Sequence, residues 1–289
     1  MHTVVHRRAL TIAALAALVV GLLVVAVPGI ASAGGRHAPS TFVAVLLGRN
    51  EVPGPGDPDG FGLAFVRFDG TQTCFSLQWR NLTAPNRAHI HQGARGVAGP
   101  IVLPFFEGEV PSPISAAHGC VTGDAGVIGN IREDPDGFYV NIHTADFPAG
   151  AIRGQLHRFP VVPREHFQLS ARLLGANEVP PADPDGSGRA GVDARDSRVC
   201  WSASWANIAT PTRGHIHQGA AGTNGPIVVP FFEAPNGLPA TLDSVSGCTT
   251  GLDPALVRSI RSNPSGFYVN LHNAEFPGGA IRGQLHRGS

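Results

Sequence analysis

The feature that most constrains the fold of this chain is an internal duplication. Residues 138–158 read FYVNIHTADFPAGAIRGQLHR and residues 267–287 read FYVNLHNAEFPGGAIRGQLHR, so that 17 of 21 positions are identical. A second pair of segments, residues 89–107 and 215–233, is identical at 15 of 19 positions. Matching residues lie 126 to 129 positions apart, which is the length of an ordinary domain and far too long for a solenoid repeat. The sequence therefore predicts two copies of one domain in tandem.

The duplication also predicts where each domain begins and ends. We expect the first domain to span residues 40–158 and the second residues 166–287, with residues 159–165 as a short linker. Residues 1–33 carry two arginines, then a long apolar run, then Ala-Ser-Ala, which is the pattern of a secretory signal peptide. The length of that run leaves open an uncleaved membrane anchor with the domains facing outside. After cleavage we expect no membrane span, and the predicted location is secreted or extracellular.

Short apolar stretches alternate with turn signals in each copy. Gly (37) and Pro (25) are abundant in the 289 residues, whereas charged residues make up only 15%. This composition favours short strands joined by tight turns. In residues 73–79 apolar and polar side chains alternate, as in a strand that is half buried. We therefore predict an all-β fold of two antiparallel β-sandwiches, with a small barrel as the alternative, and short helices only after Cys120 and at residues 254–261.

The charge balance argues against nucleic acid as a partner. The chain has 21 basic residues, all of them arginine, and 21 acidic residues. A nucleic-acid-binding protein normally carries a basic excess on one face, and the sequence has none.

Four cysteines, at positions 74, 120, 200 and 248, occupy matching places in the two copies. Of the three connectivities that four cysteines allow, the repeat favours Cys74–Cys120 and Cys200–Cys248. Two disulfides fit an oxidising compartment outside the cytoplasm.

Eight histidines also fall at matched positions, as the pairs His89 and His215, His91 and His217, His143 and His272, and His157 and His286. Residues i and i+2 of a strand lie on the same face, so His89 and His91 project together. A third histidine from another strand would complete a set of nitrogen ligands that suits Zn²⁺ or Cu²⁺. We predict copper or zinc ligands at His89, His91, His143, His215, His217 and His272, and we expect His157 and His286 to be exposed.

Two other interpretations of these histidines remain open. They could form a buried hydrogen-bonded network without a metal, or they could line a site for a metal-free ligand. A repeated glutamate and a repeated arginine in strand contexts predict one internal ion pair per domain, Glu51 with Arg153 and Glu178 with Arg282, unless these are separate surface charges. No nucleophile motif and no phosphate-binding loop repeats in both copies, so the sequence predicts no catalytic residue and no organic cofactor.

Taken together, the motifs resemble the CHRD domain, which occurs in chordin-type extracellular proteins and in many secreted bacterial proteins. They are G-x-N-E-V-P, then H-I-H-x-G, then G-P-I-V, then F-Y-V-N-x-H-x-x-x-F-P-x-G-x-I-R-G-Q-L, and they extend over nearly all of residues 41–157 and 167–286. The resemblance implies an extracellular β-domain with no established general catalytic role.

The H-x-H strand is also similar to the copper-ligand strand of copper/zinc superoxide dismutases, which are Greek-key β-sandwiches. That similarity implies a superoxide-dismutase-like fold for both domains, but it reaches only His89 and His91 and their counterparts. The predicted function is a secreted tandem CHRD protein that acts as an extracellular binding module, with an extracellular protein or a metal ion as its partner. The alternatives are a copper-dependent enzyme of the dismutase type and a purely structural envelope protein.

Overall fold

The computed structural model describes residues 40–158 and 167–288, which hold two all-β domains. The predicted signal peptide at residues 1–33 and the predicted linker at residues 159–165 lie outside the described residues. Of the described helices, none is both long and apolar enough to cross a membrane.

The two domains repeat the same order of elements. In the first domain these are β1 (Ser40–Leu47), β2 (Phe61–Asp69), β3 (Gln72–Arg80), β4 (Pro85–Gln92), β5 (Ile101–Glu107), β6 (Ile114–Thr122), α1 (Ala125–Glu133), β7 (Phe138–Thr144), β8 (Ile152–Gln155) and β9 (His157–Arg158). In the second they are β10 (Leu169–Leu174), β11 (Ser187–Arg195), β12 (Arg198–Ala206), β13 (Pro211–Gln218), β14 (Ile227–Glu233), β15 (Leu242–Thr249), α2 (Pro254–Ser262), β16 (Phe267–Asn273), β17 (Ile281–Gln284) and β18 (His286–Arg287). The two helices lie in the stretches that the sequence predicts.

Each domain pairs its strands into two antiparallel sheets that join along one edge, where β1 also pairs with β8 and β9, and β10 with β17 and β18. In the first domain one sheet has the order β1-β2-β3-β6 and the other the order β8-β7-β4-β5. The chain crosses from one sheet to the other between β3 and β4 and returns between β5 and β6, which is a Greek-key connection. The second domain repeats both orders with β10 to β17. The predicted all-β fold of tandem antiparallel sandwiches is confirmed.

Alternating side chains explain where the core lies. In β3, Phe75, Leu77 and Trp79 point inward and are buried, whereas the residues between them are partly exposed. In β7 every residue is buried on both faces. A strand that is buried on both faces, yet carries polar side chains at every second position, needs polar partners on its outer face. That outer face is where the matched histidines lie.

The cysteines join neighbouring strands in each domain. Cys74 of β3 is the register partner of Cys120 in β6, and the two form a disulfide. Cys200 of β12 and Cys248 of β15 are joined in the same way.

We expect the double variant C74S/C120S to lower the free energy of unfolding by about 4 kcal/mol. The disulfide closes a loop with a sequence separation of 46, and cross-linking a loop of that length removes conformational entropy from the unfolded chain. Denaturant titration followed by tryptophan fluorescence measures the change. The variant C200S/C248S is the matched comparison because its separation is 48. A loss well under 1 kcal/mol in both variants would contradict the expectation.

The two domains are also joined, through their sheets. Strand β6 pairs with β3 on one side and, antiparallel, with β15 of the second domain on the other. The order β1-β2-β3-β6-β15-β12-β11-β10 is therefore one continuous sheet of eight strands. The junction is nearly symmetric, since Leu242 pairs with Gly119 while Ile114, the counterpart of Leu242, pairs with Gly247.

Both glycines of this junction are required by close approach of the other domain. A Cβ atom on Gly119 would lie 2.1 Å from the carbonyl oxygen of Thr241, and one on Gly247 would lie 2.4 Å from that of Pro113. These distances are far below a van der Waals contact, and the atoms in the way belong to the backbone. Each domain therefore contributes one glycine against which the backbone of the other domain packs closely.

Candidate metal centre

Three histidines of each domain meet on the outer face of the second sheet. His89 and His91 lie on β4, with Ile90 between them pointing into the core, and His143 lies on the neighbouring strand β7. The register places His89 opposite Asn141, so that His143 is diagonal to it. Strand pleating therefore brings the three rings to one place, as the i, i+2 spacing predicts.

The distances between the rings are nearly the same in both domains. In the first domain the ring centroids of His89 and His143 are 5.0 Å apart, those of His89 and His91 5.5 Å, and those of His91 and His143 6.3 Å. The corresponding distances for His215, His217 and His272 are 5.1, 5.7 and 6.2 Å. In each triad one nitrogen from every histidine lies within 4.8 Å of the other two, which is close enough for one metal ion to contact all three.

Backbone carbonyls fix which nitrogen of two histidines faces the centre. His91 Nδ1 lies 2.9 Å from the carbonyl oxygen of Gly99, and His143 Nδ1 lies 3.1 Å from that of Pro148. A carbonyl only accepts, so each Nδ1 donates a hydrogen and each Nε2 keeps its lone pair. Both Nε2 atoms are buried without a hydrogen-bond partner among the described residues. The same arrangement recurs at His217 with Gly225 and at His272 with Pro277.

The carbonyl that orients His91 belongs to Gly99, in a glycine-rich loop that lies against β4. Only glycine fits at this position. A Cβ atom on Gly99 would lie 1.6 Å from the carbonyl oxygen of Gln92. The amide of Gly99 also donates to the hydroxyl of Tyr139, at 3.2 Å. The glycine that repeats at positions 99 and 225 is therefore explained by a loop that must lie against the histidine strand.

Burial keeps the triads uncharged. Desolvation lowers the pKa of His89 to about 3 and that of His143 to about 4, with the nearby positive groups acting in the same direction. It also lowers the pKa of His91. In the second domain burial lowers the pKa of His272 to about 4 and those of His215 and His217 below their usual value. At neutral pH all six imidazoles are thus neutral, which is the form that binds metals.

The contacts of His89 in the first domain and of His215 in the second differ. His215 Nε2 lies 3.2 Å from Oε1 of Glu233, which leaves Nδ1 buried and without a partner. For His89 neither ring nitrogen has a partner within the described part of the chain, although Glu107 stands at the position of Glu233. Among the described residues, therefore, a carboxylate orients this ring from behind in the second domain and not in the first.

A stack of flat side chains supports the triad from the side. The ring of Tyr139 lies 4.8 Å from that of His91 with an interplanar angle of 6°, and the Arg153 guanidinium lies 3.8 Å above the Tyr139 ring. Tyr268 and Arg282 repeat this stack in the second domain. Each tyrosine is two residues before an asparagine on the histidine face, and this spacing is the one sequence signal for its place in the site.

The predicted glutamate–arginine pairs lie beside the stack and differ between domains. Arg282 Nε lies 4.0 Å from Glu178 Oε2. Within the described residues Glu51 and Arg153 make no ion pair, and Glu51 accepts instead from Asn141 Nδ2 at 3.3 Å. Burial raises the pKa of Glu51 to about 8 and that of Glu178 to about 7, while the neighbouring arginine charge opposes the shift.

The remaining matched histidines lie away from the triads. His157 is exposed and contacts Asp136 at 2.7 Å, and His286 is exposed beside Ser170. His118 lies on β6, and His37 and His166 lie outside the described residues.

Comparison with known families agrees with the motifs. The family model for the CHRD domain matches the chain twice, at residues 42–156 and 169–285. A search of curated proteins found no significant match. The two matched segments include both triads and make up most of the 289 residues. The chain therefore belongs to the CHRD domain family, of which it carries two tandem copies.

Proposed function

We propose that the protein is a secreted binding module that holds one Cu²⁺ or Zn²⁺ ion in each of its two CHRD domains. The observation that supports this most strongly is the set of buried nitrogens without partners. In each triad one nitrogen of every histidine lies within 4.8 Å of the other two, and every histidine has a buried ring nitrogen without a hydrogen-bond partner among the described residues. A purely structural network would satisfy these atoms, because leaving a buried polar atom unpaired costs about 1–3 kcal/mol.

The type of ligand supports the choice of metal. All three side chains offer imidazole nitrogen, which suits copper and zinc, whereas magnesium and calcium prefer oxygen ligands. The hydrogen bonds from Nδ1 of two histidines to carbonyls are the outer contacts that metal-binding histidines usually make.

Location outside the cytoplasm is supported by independent features. The chain has two disulfides and, in the described residues, no free cysteine. Disulfides persist in oxidising compartments, where the signal-peptide pattern at residues 1–33 would direct the chain.

A calorimetric titration tests the metal sites. The protein is purified without a histidine tag, treated with a chelator and titrated with Cu²⁺ or Zn²⁺ in a calorimeter. We expect two equivalents per chain. No saturable binding of either metal would overturn the proposal and would favour a structural role for the triads.

The contact between Glu233 and His215 leads to a separate prediction. The variant E233Q should weaken metal binding in the second domain roughly tenfold, the lower end of the effect of removing such an outer contact, because the side chain of Glu233 is 61% exposed. The matched control is E107Q, since Glu107 occupies the same position but makes no hydrogen bond to His89 among the described residues. Equal effects of E233Q and E107Q in the titration would contradict the prediction.

A further inference from the structure

A second feature of each domain is a cleft beside the stacked arginine. The first cleft has a volume of about 460 Å³ and is lined by Arg49, Glu51, Arg95, Arg153 and Gln155, among others. The second cleft, at the matching place in the other domain, has a volume of about 340 Å³. Because the two clefts occupy the same place in the same fold, a residue that differs between them is not required by the fold at that position.

The buried arginine of the second cleft donates to two neighbouring groups of the protein. Arg282 donates from Nε to the carbonyl oxygen of Asn177 at 2.5 Å and from Nη1 to Asn224 Oδ1 at 2.8 Å. Asn224 also donates to the carbonyl oxygen of Val179 at 2.9 Å and so ties the two walls of this cleft together. Two donor nitrogens of Arg282 are therefore occupied by the protein's own groups.

In the first cleft the same arginine lacks that partner. Ala98 stands where the second domain has Asn224, and it offers no side-chain acceptor. Arg153 is 98% buried with Nη2 donating to the carbonyl oxygen of Val97 at 3.1 Å, but Nη1 has no partner among the described residues. A buried guanidinium nitrogen without an acceptor is costly, so an acceptor from a bound molecule would stabilise it.

The first cleft also carries two further arginines. Arg49 and Arg95 line it, whereas alanines 176 and 221 line the second cleft at the same positions. Each cleft contains one glutamate, Glu51 or Glu178. The first cleft therefore has three arginines for its glutamate and the second has one. Since the second domain folds with alanine at both positions, the fold itself does not require Arg49 and Arg95.

We propose that the first cleft is a binding site for an oxyanion group, a carboxylate, sulfate or phosphate, carried by a small acidic molecule or by an acidic sugar unit. Arginine is suited to these groups because its planar fork of donors matches two oxygens at once. The volume lies within the range of small-molecule sites. The second cleft lacks the two additional arginines and the unpaired donor, so we expect it not to bind.

Calorimetry on the chelator-treated full chain tests the site with sulfate, phosphate and glucuronate as separate probes, which distinguishes the three oxyanions. We expect saturable binding of at least one probe at one equivalent per chain. The variant R49A/R95A, which installs the residues of the second cleft, should weaken binding at least tenfold, or about 1.4 kcal/mol. The variant A98N, which supplies the missing acceptor, should weaken it several-fold.

The matched control is R258A/R261A, which removes two exposed arginines of α2 and so changes the net charge equally. It should leave binding unchanged. The converse variant A176R/A221R/N224A should raise the number of bound anions from one to two. The proposal is overturned if no probe binds saturably, if the control weakens binding as much as R49A/R95A does, or if A98N binds as tightly as the unaltered chain.

Discussion

Replacement of His91 by alanine should lower the bound metal from two equivalents per chain to one. His91 supplies one of the three nitrogens of the first triad, and its loss leaves two ligands where copper or zinc in a protein uses three or more. The variant H217A should remove metal from the second domain in the same way, and the double variant should bind none. Calorimetric stoichiometry and elemental analysis of the dialysed protein measure these values.

Controls for this series come from the other matched histidines. The variants H157A and H286A remove exposed imidazoles that lie outside both triads, so they should retain two equivalents. Thermal unfolding of the metal-free proteins shows whether each variant is folded. If H91A retained both ions while remaining folded, the first triad would not be a metal site.

A second large effect is expected at the junction of the domains. The variants G119A and G247A each place a methyl group where the backbone of the other domain passes, at 2.1 and 2.4 Å from a carbonyl oxygen. Overpacking of this kind costs about 1–3 kcal/mol even where side chains can yield, and here the obstacle is backbone. We expect at least this loss in the free energy of unfolding and faster amide exchange along β6 and β15.

Hydrogen exchange followed by mass spectrometry locates the effect, and denaturant titration measures its size. The control is G278A, because a Cβ atom at Gly278 meets nothing within 4 Å. Unchanged exchange of β15 in G119A would mean that the two strands do not depend on each other, and the continuous sheet would then have no energetic basis.

Much of the site follows from sequence because strand geometry is local. The spacing of His89 and His91 determines that their rings share a face, whatever the surroundings, and the duplication limits the third ligand to the matched histidines His143 and His157. The same reasoning covers the disulfides, since Cys74 and Cys120 hold matching places in the repeat. The predicted helical stretches also agree with α1 and α2. Each helix begins after an aspartate whose carboxylate accepts a hydrogen bond from a backbone amide of the first turn, which is a local signal.

The rest depends on contacts between distant segments, which local patterns do not reveal. That Arg153 is buried over Tyr139 results from a loop, residues 93–100, that folds back on β4. Arg153 donates to the carbonyl oxygen of Val97 in that loop, a contact that no local pattern in the sequence indicates. Pairing of β6 with β15 brings together residues more than 120 positions apart, and neither strand carries a signal for it beyond an inconspicuous glycine.

The shared sheet has a consequence for self-association. An isolated copy of this domain would leave the outer edge of β6 with unpaired amides and carbonyls, which is the kind of edge that recruits a second chain. The pairing is almost two-fold symmetric, as in a homodimer of identical subunits. In this chain the second copy is covalently linked, so the pairing of β6 with β15 is intramolecular and does not depend on protein concentration. The edge of β6 is thereby covered and does not pair with other chains.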